Sequence, residues 1–161
     1  MKTTYLSFLM MLPVMGFAES DGDLSLSVFG HIKSHCEINF NRGDKLDFSN
    51  DIQKSVLFEI QCNQPMGMSL YSQNGGLSLQ QSKTPVVVQY QLNIDVASIG
   101  MNRTLQSKDL SSPKLIESSS VIPFTTEGVM KVTLEENLHY AGLYEDIIEI
   151  DVYPSIHGVD P

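Results

Sequence analysis

The feature that most constrains this chain is a two-residue rhythm. From Val86 the even positions read Val86, Val88, Tyr90, Leu92, Ile94 and Val96, while Gln89, Gln91, Asn93 and Asp95 occupy odd ones. Successive side chains of an extended backbone point to opposite faces, so this run predicts a strand buried on one side, the clearest central strand in the chain. The same rhythm returns in Val56, Phe58, Ile60 and Cys62, set against Glu59 and Gln61. Met66, Met68 and Leu70 repeat it, and the Asn74-Gly75-Gly76 turn that follows predicts a hairpin back through Leu77 and Leu79. Residues 121–124, then Met130, Val132 and Leu134, predict two further strands, and 144–153 closes the series with Ile148, Ile150 and Val152 against Glu149 and Asp151. Residues 41–51 read as a loop, and 98–120 as an excursion with one short strand or helical turn. No stretch carries a helical stripe. Six to eight short strands without an internal repeat predict one all-β domain, an immunoglobulin-like sandwich rather than a closed barrel, although the cysteine and Trp pattern of antibody domains is missing.

The earliest alternating run is also the longest. Leu24, Leu26, Val28, Gly30, Ile32 and Cys36 share one parity, while Ser25, Ser27, His31, Lys33 and His35 share the other, with Phe29 the one break. Before it, residues 1–18 combine Lys2, an apolar stretch, and Gly16 and Ala18 at the spacing a signal peptidase requires, which predicts export with cleavage after Ala18. The apolar-faced strand therefore starts close to the expected new N-terminus. Full burial of Leu24, Leu26, Val28 and Ile32 would contribute roughly 6–12 kcal/mol gross, whereas exposure invites edge-to-edge pairing. Such a strand either belongs to its own sandwich or is made for a groove elsewhere.

Export decides the two cysteines as well. Cys36 and Cys62, the only pair, lie on the apolar faces of their strands and would meet in an oxidising compartment, so a structural disulfide is expected. The chain-entropy model assigns such a loop about 3.5 kcal/mol. Two thiols cannot fill a tetrahedral zinc site.

Catalytic signatures are missing: there is no G-x-S-x-G elbow, H-E-x-x-H, P-loop or dinucleotide-binding glycine pattern, and the expectation is a non-enzyme without cofactor. His31, Lys33 and His35 share a polar strand face, but Cys36 points the other way, which argues for solvent-facing residues rather than a metal site. Glu135, Glu136, Glu145, Asp146, Glu149 and Asp151 lack the order of a calcium loop and read as a solvated acidic face. With 10 Lys+Arg against 19 Asp+Glu the net charge is −9, which opposes nucleic acid as a partner. Asn102-Arg103-Thr104 matches a glycosylation sequon, a three-residue match of little weight.

Three segments resemble a bacterial pilin of the chaperone–usher class. V-F-G-H-I-K-S-H-C, residues 28–36, is similar to the end of a pilin N-terminal extension. Residues 36–62, from C-E-I-N-F-N-R-G-D-K-L-D-F-S-N to F-E-I-Q-C, resemble the disulfide-linked opening of the subunit core. Y-A-G-L-Y-E-D-I-I-E-I-D-V-Y, residues 140–153, resembles the family's last strand, nearest to the spore-coat-U-like secreted-pilus branch. The resemblance implies an incomplete immunoglobulin-like subunit whose missing strand is lent first by a periplasmic chaperone, at an outer-membrane usher, and then by a neighbouring subunit. It implies 1–18 as signal peptide, 19–33 as donor strand and 34–161 as the pilin-like domain. Leu24, Leu26, Val28, Gly30 and Ile32 would form the donated face, with Gly30 where a side chain would clash. Cys36 and Cys62 would be the core staple, and Tyr153 would stand near the family's C-terminal tyrosine. The product would be a surface fimbria serving adhesion or biofilm formation. The 154–161 tail and the short extension before Cys36 depart from the family pattern. The competing expectation is a self-complete secreted β-sandwich that binds a glycan or protein, with Tyr71, Tyr90 and Tyr144 as stacking residues.

Overall fold

The computed structural model describes residues 24–41, 43–117 and 121–155. The expected signal peptide, the start of the extension and the end of the tail lie outside the described residues. The chain divides into two units, residues 1–31 and 32–161.

Of the first unit, residues 24–31 form no strand, and neither do 32–35 at the start of the second. Leu24, Leu26, Val28, Phe29 and Ile32 are 85–98% exposed. The long first strand expected from parity is therefore corrected: only its last residue, Cys36, is in a sheet. Alternation reports which faces differ, not whether a partner exists to take up the backbone N–H and C=O groups. A Cβ placed on Gly30 meets nothing within 4 Å in its own chain.

The described residues of the second unit form an antiparallel β-sandwich of eleven strands: β1 (Cys36–Phe40), β2 (Gln53–Cys62), β3 (Met66–Ser72), β4 (Leu77–Leu79), β5 (Val87–Val88), β6 (Tyr90–Val96), β7 (Met101–Gln106), β8 (Lys114–Glu117), β9 (Phe124–Leu134), β10 (Tyr144–Glu145) and β11 (Ile148–Pro154). One sheet has the order β1-β2-β9-β6-β7 and a second β11-β3-β8, while β10-β4-β5 forms a smaller third. The core is the set of inward parities read from the sequence: Phe58 and Ile60 of β2, Met66, Met68 and Leu70 of β3, Leu92 and Ile94 of β6, and Met130 and Val132 of β9 are all buried. Cys36 and Cys62 stand directly opposite each other and form the expected disulfide.

Four expectations are corrected. The turn at Gly75 and Gly76, with φ of 66° and 152°, does not make a hairpin: β3 pairs with β11 and β8, and β4 with β10 and β5. Ser72 Oγ accepts from the Gly75 N–H, and Asn74 donates to Glu145 O and Asp146 Oδ1, so the turn becomes a corner tied to another part of the chain. The 98–120 region holds two strands: β7 lies between 3₁₀ turns at Ala97–Ile99 and Ser107–Ser111, and β8 follows the second turn. Residues 121–123 are not a strand, and β9 is one run of eleven residues starting at Phe124. The 144–153 stretch breaks at Asp146 and Ile147, which separate β10 from β11.

Candidate functional site

Burial falls away toward one side of the sandwich. The inward residues of β3 are fully covered, yet those of β1 (Cys36, Ile38, Phe40) and of β11 (Ile148, Ile150, Val152) are only half-buried. Each of these strands is the edge of its sheet, so one side of each backbone has no ladder partner among the described residues. An open groove of about 920 Å³ is lined by Phe40 together with Ile148 and Ile150. Its floor is formed by Met130 and Val132 of β9, Tyr90 of β6 and Leu77 of β4.

The two edges run in opposite directions. Cys36 lies opposite Cys62, and the Ser155 N–H donates to Pro65 O at 2.7 Å, which brings the start of β1 and the end of β11 to the same end of the sandwich. Phe40 and Ile148 mark the other end, where two loops rise as lips. The first lip follows β1 and turns Leu46 and Phe48 inward to half-burial. Asp47 there accepts from the Ser49 hydroxyl at 2.6 Å and the Ser49 N–H at 2.9 Å, bonds that hold its carboxyl below the usual carboxylate range. Leu134 N–H donating to Ile52 O at 2.8 Å closes this loop onto the five-stranded sheet. The second lip precedes β11; it is held by Gln80 N–H on Leu143 O at 2.8 Å and by Tyr140 N–H on the Tyr144 hydroxyl at 3.2 Å.

Asp146 fixes the second lip. Its Oδ2 accepts from Ser72 Oγ at 2.6 Å and the Tyr90 hydroxyl at 2.7 Å, while Oδ1 accepts from the N–H groups of Asn74 at 3.0 Å and Ile147 at 2.9 Å. One carboxylate thus joins the end of β3, the start of β6 and the entry to β11. The expectation that Asp146 belongs to a solvated acidic face is corrected; Glu135, Glu136, Glu145, Glu149 and Asp151 are exposed. Tyr90 is 2% exposed and hydrogen-bonded, which corrects its reading as a stacking residue for a sugar. Burial first, and the Asp146 carboxylate second, push the Tyr90 phenol well above its ordinary range.

His31, Lys33 and His35 are exposed, with His35 Nε2 3.4 Å from Glu37. Among the described residues no group of three or more His, Cys, Asp or Glu is placed to hold a metal ion. The structure brings Cys36 and Cys62 together at one end of the groove-bearing unit. Sequence reasoning missed the lips, although the alternation of Leu46 and Phe48 with Asp47 was a legible sign that this loop is half-buried. Chemically, the site offers an apolar trough flanked by two strand edges with unused hydrogen-bonding groups, an arrangement suited to an extended peptide. No family model matches the chain, and no curated protein matches it significantly in sequence.

Proposed function

We propose that this chain is the structural subunit of a surface fimbria, a pilin-like sandwich of immunoglobulin-like topology that lacks its last strand and is completed in trans. The observation that carries this reading is the groove where Phe40 at the end of β1 faces Ile148 and Ile150 at the start of β11, in a chain that also has an exposed segment with the alternating apolar face Leu24, Leu26, Val28 and Ile32. A strand laid between two free edges gains main-chain hydrogen bonds from both and seats alternate side chains in the trough. In this reading a periplasmic chaperone covers the groove after export, an outer-membrane usher exchanges it for the segment of the next copy, and the fibre serves adhesion or biofilm formation.

The test is a chain carrying Leu26→Asp and Val28→Asp, expressed in cells with the chaperone and usher. Charges facing an apolar trough cost several kcal/mol without a partner. The variant is expected to be captured by the chaperone, since its own groove is intact, but to give no copy-to-copy ladder. A chaperone-free monomer that unfolds cooperatively and is destabilised by deleting residues 19–28 would assign the segment to its own sandwich and overturn the reading.

A further inference from the structure

We propose that successive copies touch at a second place: Val121, Ile122 and Phe124, at the Cys36 end of one sandwich, pack on Tyr140, Leu143 and Ile147 of the second lip of the next. This contact rests on the fibre reading above and deepens it. Cys36, Cys62 and Phe124 occupy adjacent rungs at one end of the five-stranded sheet. With strands about 4.8 Å apart, the Phe124 backbone lies within about 10 Å of Cys36. Ile32, the last apolar position of the alternating segment, is four residues from Cys36, which spans at most about 14 Å of extended chain. Once Ile32 of one copy is seated in its neighbour's groove, the end bearing Phe124 is held at that groove's mouth.

Charge favours the lip end of the groove. That end carries Asp44, Asp47 and Glu145 against Lys45, and the segment carries Lys33 at its Cys36 end but Asp21 and Asp23 at the other. Basic end to acidic lip is the complementary arrangement. Both surfaces then in reach are apolar and exposed: Phe124 is 67% exposed beside Val121 and Ile122, and Leu143 and Tyr140 are 66% and 65% exposed beside Ile147. Phe124 is also one of two non-glycine residues with positive φ among the described residues, at 49°. A left-handed backbone costs a bulky residue stability, and a ring left in water returns none of it within its own sandwich.

The experiment places p-benzoylphenylalanine at position 124 of the full chain, irradiates assembled fibres and maps the products. Cross-links to residues 138–147 of another copy are expected; cross-links confined to other segments would overturn the contact while leaving the fibre reading in place. A second variant, Phe124→Gly, relieves the backbone and removes the ring. Its chaperone-bound subunit is expected to melt no lower than wild type, while its fibres release subunits about tenfold faster. Release at the wild-type rate counts against the contact. Assembly that persists in the Leu26→Asp, Val28→Asp chain removes the fibre reading and the contact with it.

Discussion

Of Glu135, Glu136, Glu145, Asp146, Glu149 and Asp151, Asp146 alone is drawn inward, and the reason lies far away in sequence: Ser72 and Tyr90 both present hydroxyls to it. Tyr90 is the more informative partner, because its phenol is held neutral by burial and then by the Asp146 charge. Replacing it as Tyr90→Phe keeps the ring in the floor of the groove and deletes one charge-assisted hydrogen bond, a loss of about 1–2 kcal/mol at neutral pH. At alkaline pH the comparison changes. The unfolded phenol gives up its proton near pH ~10 while the folded one keeps it, so the unfolded state binds fewer protons and stability falls as pH rises. The phenylalanine variant has no such linkage. Urea unfolding at pH 8 and pH 11 is expected to show a gap between the two proteins that narrows at the higher pH, and an unchanged gap would contradict the placement of this phenol. Nothing adjacent to Asp146 in sequence marks it out, since three of its four donors, on Ser72, Asn74 and Tyr90, are brought to it by the fold.

At the scale of elements, β9 holds the five-stranded sheet together, pairing with β2 on one side and β6 on the other. Gly128 in it faces Phe58 so closely that a Cβ there would lie 2.3 Å from the ring's Cζ. The Phe58 ring extends to Phe40, 6.4 Å away and edge to face, and Phe40 lines the groove. Gly128→Ala must move the Phe58 ring, so it is expected to cost about 1–3 kcal/mol, read as a lower urea midpoint. An unaltered midpoint would mean the ring has room to swing aside. Strands like β2 and β6 were legible because each is paired on both sides and buries one face, which leaves a clean alternation of Phe58 and Ile60, or Leu92 and Ile94, with polar residues. The edge strand β7 was not legible: Asn102, Arg103 and Thr104 are all exposed, so burial imposes no rhythm on them. The disulfide followed from parity and the expectation of export, but the groove's lips are loops, where side-chain direction is decided by long-range bonds such as Gln80 to Leu143.

At the scale of the whole molecule, the described residues present a groove whose walls are half-buried and a segment whose apolar face is exposed, and these two facts predict a linkage. In the donor-strand reading, a synthetic peptide of residues 20–33, added to the full chain at a dilution that keeps copies apart, fills the trough only in the folded state. Binding to the folded state alone raises stability by mass action, about 2.7 kcal/mol at a free peptide concentration one hundred times its dissociation constant. Denaturant midpoints are therefore expected to climb with peptide concentration. Ile150, on the β11 wall, supplies the control in the acceptor: Ile150→Asp sets a carboxylate in the trough and should abolish the climb. A peptide with Leu26→Asp and Val28→Asp supplies the control in the donor and should leave the midpoint where it was. The two controls separate a seated strand from weak adhesion to an exposed apolar surface, because adhesion depends on neither the groove wall nor the alternation. A midpoint indifferent to the wild-type peptide at every concentration would show that the sandwich needs no added strand.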